Sequence, residues 1–250
     1  MEKESFTFDE NGLDFWLVYN VIKDYYPIGI PFNPENEAFY RSYPGSKERV
    51  RLILDNIHNN EQFEERWGKF QNQLGRELGV AVEGTTNAMA PSFSAALKLE
   101  EKSIENMTSG KELHFAVSLL GPFFTIYGLD YAGVTLRTDV SWAPHIEDDQ
   151  VYYHSTCAIT TSPYLEYEDP FTRLEQRLRE RYPGYRMVPF EISTQKIRGL
   201  QVDYGANHSN DTSHTVFNGL FHDNHELNWQ LNRGDESYGA DDWVIENHQS

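Results

Sequence analysis

Residues 112–128 read Glu-Leu-His-Phe-Ala-Val-Ser-Leu-Leu-Gly-Pro-Phe-Phe-Thr-Ile-Tyr-Gly. Leu113, Phe115, Val117 and Leu119 recur at every second position, the period of a strand that buries one face. Gly121-Pro122 breaks the run, and Phe124-Thr-Ile-Tyr resumes it, so the stretch reads as two strands around a turn. Strands joined by so short a linker pair antiparallel, because a parallel crossover needs on the order of ten or more residues.

The same period extends outward in both directions. Upstream, Phe93, Ala95, Leu97 and Leu99 alternate with polar or small residues. Downstream, Gly133 precedes Val134-Thr-Leu-Arg, and Val151, Tyr153, Ser155, Cys157 and Ile159 make another alternating run. Segments near Arg186 to Phe190, Lys196 to Val202 and Thr215 to Phe221 read as further strands. On its alternating strand Cys157 reads as a buried, structural thiol, with Tyr153 and Ile159 on the same face.

Four helices frame these runs. Phe15, Val18, Tyr19, Ile22 and Tyr25 keep helical spacing up to Pro27. Ser46 reads as the N-cap of a second helix, with Val50, Ile53, Leu54 and Ile57 on its inner face. A third, after Asn60, carries the stripe Phe63, Trp67, Phe70, Leu74 and Leu78 and ends at Gly79. The fourth is capped by Asp169, with Pro170 at its first helical position and Phe171, Leu174 and Leu178 facing inward; Pro183-Gly184 stops it. Arg173, Arg177, Arg179 and Arg181 line its outer face, a row suited to anchoring acidic residues.

Helices, then strands, one helix, then strands is the α+β arrangement: a mainly antiparallel sheet of about five to eight strands with helices packed on one face. The expected organisation is a single domain over residues 1–250, with an irregular acidic C-terminal segment from about residue 203. A two-domain division near Asn87 is the alternative.

That C-terminal segment dominates the charge. Residues 201–250 hold nine acids against one base, Arg233, and so contribute −8 of the formal −18 of the chain. A surface so one-sided repels nucleic acid and anionic lipid and attracts a basic partner. No apolar run approaches the ~20 residues of a membrane span. Met1-Glu-Lys-Glu-Ser-Phe lacks both a basic region and an apolar core of a secretory signal, so the cytoplasm is the expected compartment. Cys157 is the single cysteine, which leaves no partner for an intrachain disulfide.

Motifs for catalysis are missing. There is no Gly-x-Ser-x-Gly elbow, no phosphate loop and no Gly-x-Gly-x-x-Gly, and no cofactor is called for. Glu147-Asp148-Asp149 and Asp241-Asp242 lack the spacing of a calcium loop and read as solvated. His208, His214, His222 and His225 cluster with Asp211 and Asp223, and imidazole with carboxylate suits zinc. Their spacing matches no standard zinc pattern.

The leading expectation is a non-enzymatic binding protein for a basic protein partner. Asp235, Glu236, Asp241 and Asp242 would steer that partner, and Trp243 would either anchor it or pin the C-terminus onto the fold. In composition and size the chain is similar to bacterial immunity proteins, which are acidic, cytosolic, single-domain inhibitors of cognate toxins. The alternative is a metal-dependent hydrolase built on His214, His222 and His225.

Overall fold

The computed structural model describes residues 12–137, 150–203, 214–222 and 231–245. In chain order the helices before the sheet are α1 (Trp16–Tyr25), α2 (Glu37–Ser42), α3 (Pro44–Ile53), α4 (Asn60–Phe63) and α5 (Lys69–Leu78). Strands β1 (Ala81–Gly84), β2 (Ser92–Ile104), β3 (Met107–Ser118), β4 (Phe123–Arg137) and β5 (Gln150–Thr160) follow. After them come α6 (Glu168–Arg181), β6 (Arg186–Met187), α7 (Phe190–Ser193), α8 (Val216–Leu220) and β7 (Leu231–Asn232). The fold is α+β. Strand order is β1-β2-β3-β4-β5-β7, with β6 paired to the start of β4. The pairs from β1 to β5 are antiparallel, and only the two-residue strands β6 and β7 run parallel to their neighbours.

The hairpin read from residues 112–128 is present, with Val117 opposite Phe124 and Leu113 opposite Gly128. Its alternation buries both faces rather than one, which corrects the expectation that helices lie on one side. Leu113, Phe115, Val117, Phe124 and Ile126 pack with Trp67 and Leu74 and with Phe171, Leu174 and Leu178 of α6. On the opposite face Ala116, Phe123, Tyr127 and Leu129 pack with Val18 and Ile22 of α1, Phe217 and Leu220 of α8, and Trp243. The alternate positions of the strands are small there, Ser94, Ala96, Ala116 and Ser118 among them, so a second helical layer fits against the backbone.

Burial separates two ends of the sheet. β2 is buried from Ser92 to Leu97 and exposed from Glu100 to Ile104, and Tyr152 to Ser155 of β5 are exposed. The long strands therefore project beyond the helical layers as a solvated blade. A bulge between Lys98 and Glu100 marks the change on β2, and another at Asp130/Tyr131 marks it between β4 and β5.

Several local readings change. Residues 124–127 and 134–137 belong to one strand that runs through Gly128 and Gly133. A Cβ at Gly128 would lie 2.6 Å from the Tyr167 ring, and one at Gly133 would lie 2.2 Å from the Tyr152 hydroxyl, so each glycine makes room for a ring across the strand. Residues 216–220 are a helix, not a strand. Thr215 and Asn218 close a capping box on it, and Val216, Phe217 and Leu220 are buried on one side. Residues 190–193 are also helical, and residues 196–202 contribute one bridge, Lys196 to Thr215.

Helix α3 starts at Pro44, with Tyr43 at the cap position, so Ser46 lies within it instead of capping it. Its inward side is Ser46, Arg49, Ile53 and, past the helix, Asn56, while Val50 and Leu54 face solvent. The Arg49–Asp203 ion pair, at 2.7 Å, decides that orientation. The stripe of the third helix faces the core: Trp67 and Leu74 are buried, Phe63 and Phe70 half-buried, and Gly79 ends it at φ 71°. Helix α6 begins one residue before Asp169, and its inward stripe is as read. Lys111 on β3 bridges to Asp130 at 2.6 Å and to Glu166 at 2.7 Å, while Tyr167 donates to Asp130 at 2.6 Å. These contacts fix the start of α6 on the sheet.

Buried phenols are a second theme. Tyr40 donates to the Gln201 carbonyl at 2.5 Å, and burial holds its proton well beyond the usual phenol range. Tyr127 and Tyr167 are raised for the same first reason, and burial pushes Tyr182 up to about 12. Below pH 10.0, the ordinary phenol value, folded and unfolded chains both keep these protons. Above it the unfolded chain releases protons that the folded chain retains, so stability falls as pH rises. The expected result is a cooperative alkaline transition setting in above pH about 10, with phenolate absorbance rising in step with loss of far-UV dichroism. Phenolate absorbance that saturates before the fold is lost would contradict the burial of these hydroxyls.

Candidate interaction surface

The acidic residues singled out at the C-terminus lie in a turn and a single 3-10 turn, Asp241–Trp243. Asp235 accepts hydrogen bonds from the Ser237 backbone N–H at 2.9 Å and from its hydroxyl at 2.8 Å. Those bonds hold its carboxyl below the usual range. Glu236 is fully out in solvent, 4.0 Å from Arg233, and Asp242 lies 3.7 Å from Arg179 of α6. Asp241 is exposed. The arginine row thus holds part of the acidic segment, Arg179 serving both Asp242 and Glu175.

Trp243 is not a surface ring. Its indole is wholly buried, its Nε1 donates to the Met187 carbonyl at 2.8 Å, and Arg186 lies 4.1 Å over its face. Of the two roles weighed for it, pinning the C-terminal segment is the one this geometry performs, and no face of the ring is open to a partner. The turn that carries Asp235, Glu236, Asp241 and Asp242 is therefore fastened to the core by Trp243, and also by Tyr238 against Phe171 and by the Gly234 and Asp235 N–H groups on the Ser162 hydroxyl, with Glu236 and Asp241 outward.

The two described histidines of the group are engaged separately. His214 is half-buried, with Nδ1 3.2 Å from the Leu200 carbonyl. His222 is buried, its ring edge-on to Phe217 at 5.0 Å. His225 and His208, with Asp211 and Asp223, lie outside the described residues, as does Glu147-Asp148-Asp149. Among the described residues no group of three or more histidine, cysteine or acidic side chains converges as a metal site.

Cys157 is exposed, a correction to its reading as a buried thiol. The register explains it. Asp130 pairs with Ala158 and Tyr131 with Thr156, so Cys157 falls in the bulge and the alternation slips past it. Thiol labelling in the native protein should run within a few-fold of the denatured rate, and protection by orders of magnitude would place the thiol inside.

Two clusters on the α1 side of the sheet escaped the sequence reading. Glu112 and His114 hold a dyad at 2.9 Å, and the His114 ring stacks on Tyr127 at 5.4 Å and 12°. The hydrogen bond to His114 keeps the Glu112 carboxyl below its usual range. Tyr127 in turn meets Phe217 of α8 at 5.9 Å, so the dyad is roofed by packed rings. Further out on the blade, Tyr131 lies over Gly110 and against His154 at 5.0 Å, with its hydroxyl 3.4 Å from Glu101. Tyr152 lies over Gly133, 6.2 Å from His154. The available signal was the polar half of each alternating run and the glycines inside the strands. In sequence the first reads only as polar or small residues, and Gly133 only as the residue before a strand.

An enclosed space lined by Thr125, Tyr127, Val188 and Ser193 has about 10 Å³, the room of one water rather than of a substrate. No helix among the described residues is long and apolar enough to cross a membrane. No protein-family model matches this chain, and no curated protein or solved structure matches it.

Proposed function

We propose that this protein is a non-enzymatic binding protein whose partner is a basic protein, in the manner of an immunity protein. The observation that carries the reading is the acidic turn fastened by Trp243. Glu236 and Asp241 stand in solvent on a chain of net charge −18, and the buried indole holds their backbone in place. Acids presented on a fixed turn steer a cationic surface by long-range charge, and little ordering entropy is lost when contact is made.

The structure sharpens the test. Asp235 is occupied with Ser237 and Asp242 with Arg179, so amides there would disturb the turn itself. The double variant Glu236→Gln, Asp241→Asn removes two charges and leaves those contacts intact. The partner is captured from the native cell, identified, purified and measured. Its association rate should drop steeply between 0.01 M and 0.15 M salt, as the Debye length falls from ~30 Å to ~8 Å, with a smaller change in dissociation. The double variant should slow association further at low salt. A partner whose binding ignores both salt and the two substitutions would reject this reading.

A further inference from the structure

The blade carries a second feature suited to a cation, and it lies on a different element from the acidic turn. On the α1 side of the sheet, Glu101 is opposite Gly110, Gly110 opposite Tyr131, and Tyr131 opposite Thr156. In the neighbouring row Gly133 is opposite His154, and Thr135 is opposite Tyr152. Tyr131 and Tyr152 are each laid over a glycine, where a Cβ would come within 2.5 Å and 2.2 Å of the phenol. A ring resting on backbone turns its other face away from the sheet. For Tyr131 that face is covered by His154 at 34°, so the ring itself is buried and His154 presents the surface above it. Tyr152 is 50% exposed with His154 exposed beside it, and Glu101 is exposed at the far end of the row, 3.4 Å from the Tyr131 hydroxyl.

Carboxylates outweigh cations on this face. Glu101 and Glu112 lie here, and Lys98 is engaged by Glu83 at 2.7 Å. Glu112 also acts electrostatically on both Tyr131 and His154, as a neighbour would. The exposed faces of Tyr152 and His154, in the field of these carboxylates, attract a cation, and a planar guanidinium suits them better than an ammonium because it stacks on rings.

We propose that the Glu101–Tyr131–His154–Tyr152 face of the blade receives an arginine side chain of the basic partner. This rests on the basic-partner reading above and adds a named receptor for one of the partner's residues. Charge complementarity selects that occupant over a second copy of this chain, since two chains of −18 repel.

The test uses the full-length protein, N-acetylarginine amide as probe and the neutral citrulline counterpart as control, followed by two-dimensional NMR. The arginine probe should shift resonances of Glu101, Tyr131, Tyr152 and His154, and the citrulline probe should not. Tyr152→Ala and Glu101→Gln should each weaken the arginine response about two- to fivefold, while Tyr152→Phe, which keeps the ring, should bind like the original. Both altered residues are exposed, and unchanged dispersion elsewhere in the spectrum verifies folding. Shifts confined to Asp235–Asp242 would overturn the blade site and leave the basic-partner reading standing. An arginine response that persists in both variants, or equals that of citrulline, would overturn it as well. An arginine response at the blade together with salt-independent partner capture would instead sink the reading of the acidic turn.

Discussion

Trp243→Ala is expected to destabilise the fold by ~3–5 kcal/mol in urea denaturation, the range for emptying a large buried aromatic site. The indole has no exposed surface and packs on Phe123 at 6.0 Å. Its loss also orphans the Met187 carbonyl, which accepts from Nε1 at 2.8 Å. The segment around it ties both ends of the described chain together. Asp14 N–H donates to the Trp243 carbonyl at 2.5 Å, Leu13 bridges to Val244, and Ile245 N–H donates to Gly12 at 2.8 Å. Trp243→Phe keeps most of the volume and loses the N–H bond, so its cost should fall between that of Trp243→Ala and zero. In partner binding, Trp243→Phe should leave the dissociation rate near its original value, because the ring lies beneath the surface. A cost for Trp243→Ala below about 1 kcal/mol would put the ring outside the core.

Asp203→Asn should cost ~3 kcal/mol, because it removes a carboxylate that faces a buried guanidinium. Arg49 has 1% of its side chain exposed and Asp203 9%, at a separation of 2.7 Å. The Arg49 guanidinium also sits 4.4 Å over the Tyr26 ring, which supports it but does not neutralise it. Combining Arg49→Met with Asp203→Asn should recover most of the loss, since an apolar chain of similar length removes the buried charge. A double-mutant cycle by denaturation measures this. Additive costs for the two changes would mean that the pair is uncoupled and that Arg49 is held by other contacts.

The helix stripes and the hairpin were legible because each is a local pattern. Trp67, Leu74, Phe171, Leu174 and Leu178 recur at helical spacing, and Leu113, Phe115 and Val117 at strand spacing, so each named its own inward side. Local pattern misled where a partner outside the segment decided. Val50 and Leu54 made the better apolar face of α3, yet Arg49 turned inward to meet Asp203. Residues 215–221 are rich in strand formers, yet Thr215 and Asn218 close a helical cap. Cys157 kept an alternating period until a bulge, a property of two strands and not of one, moved it outward.

The candidate surfaces divide in the same way. Sequence by itself determined the antiparallel hairpin, the α+β class, the inward stripes and the concentration of negative charge after residue 200, because period, turn residues and charge are summed along the chain. Only the tertiary structure decided that Trp243 is a rivet and not a docking ring, that Asp235 and Asp242 are engaged within the turn, and that Glu101, Tyr131, His154 and Tyr152 share one face. Burial of an indole depends on what covers it, and neighbours three strands apart depend on register. Both are set when distant segments pack, after every local preference has already been expressed.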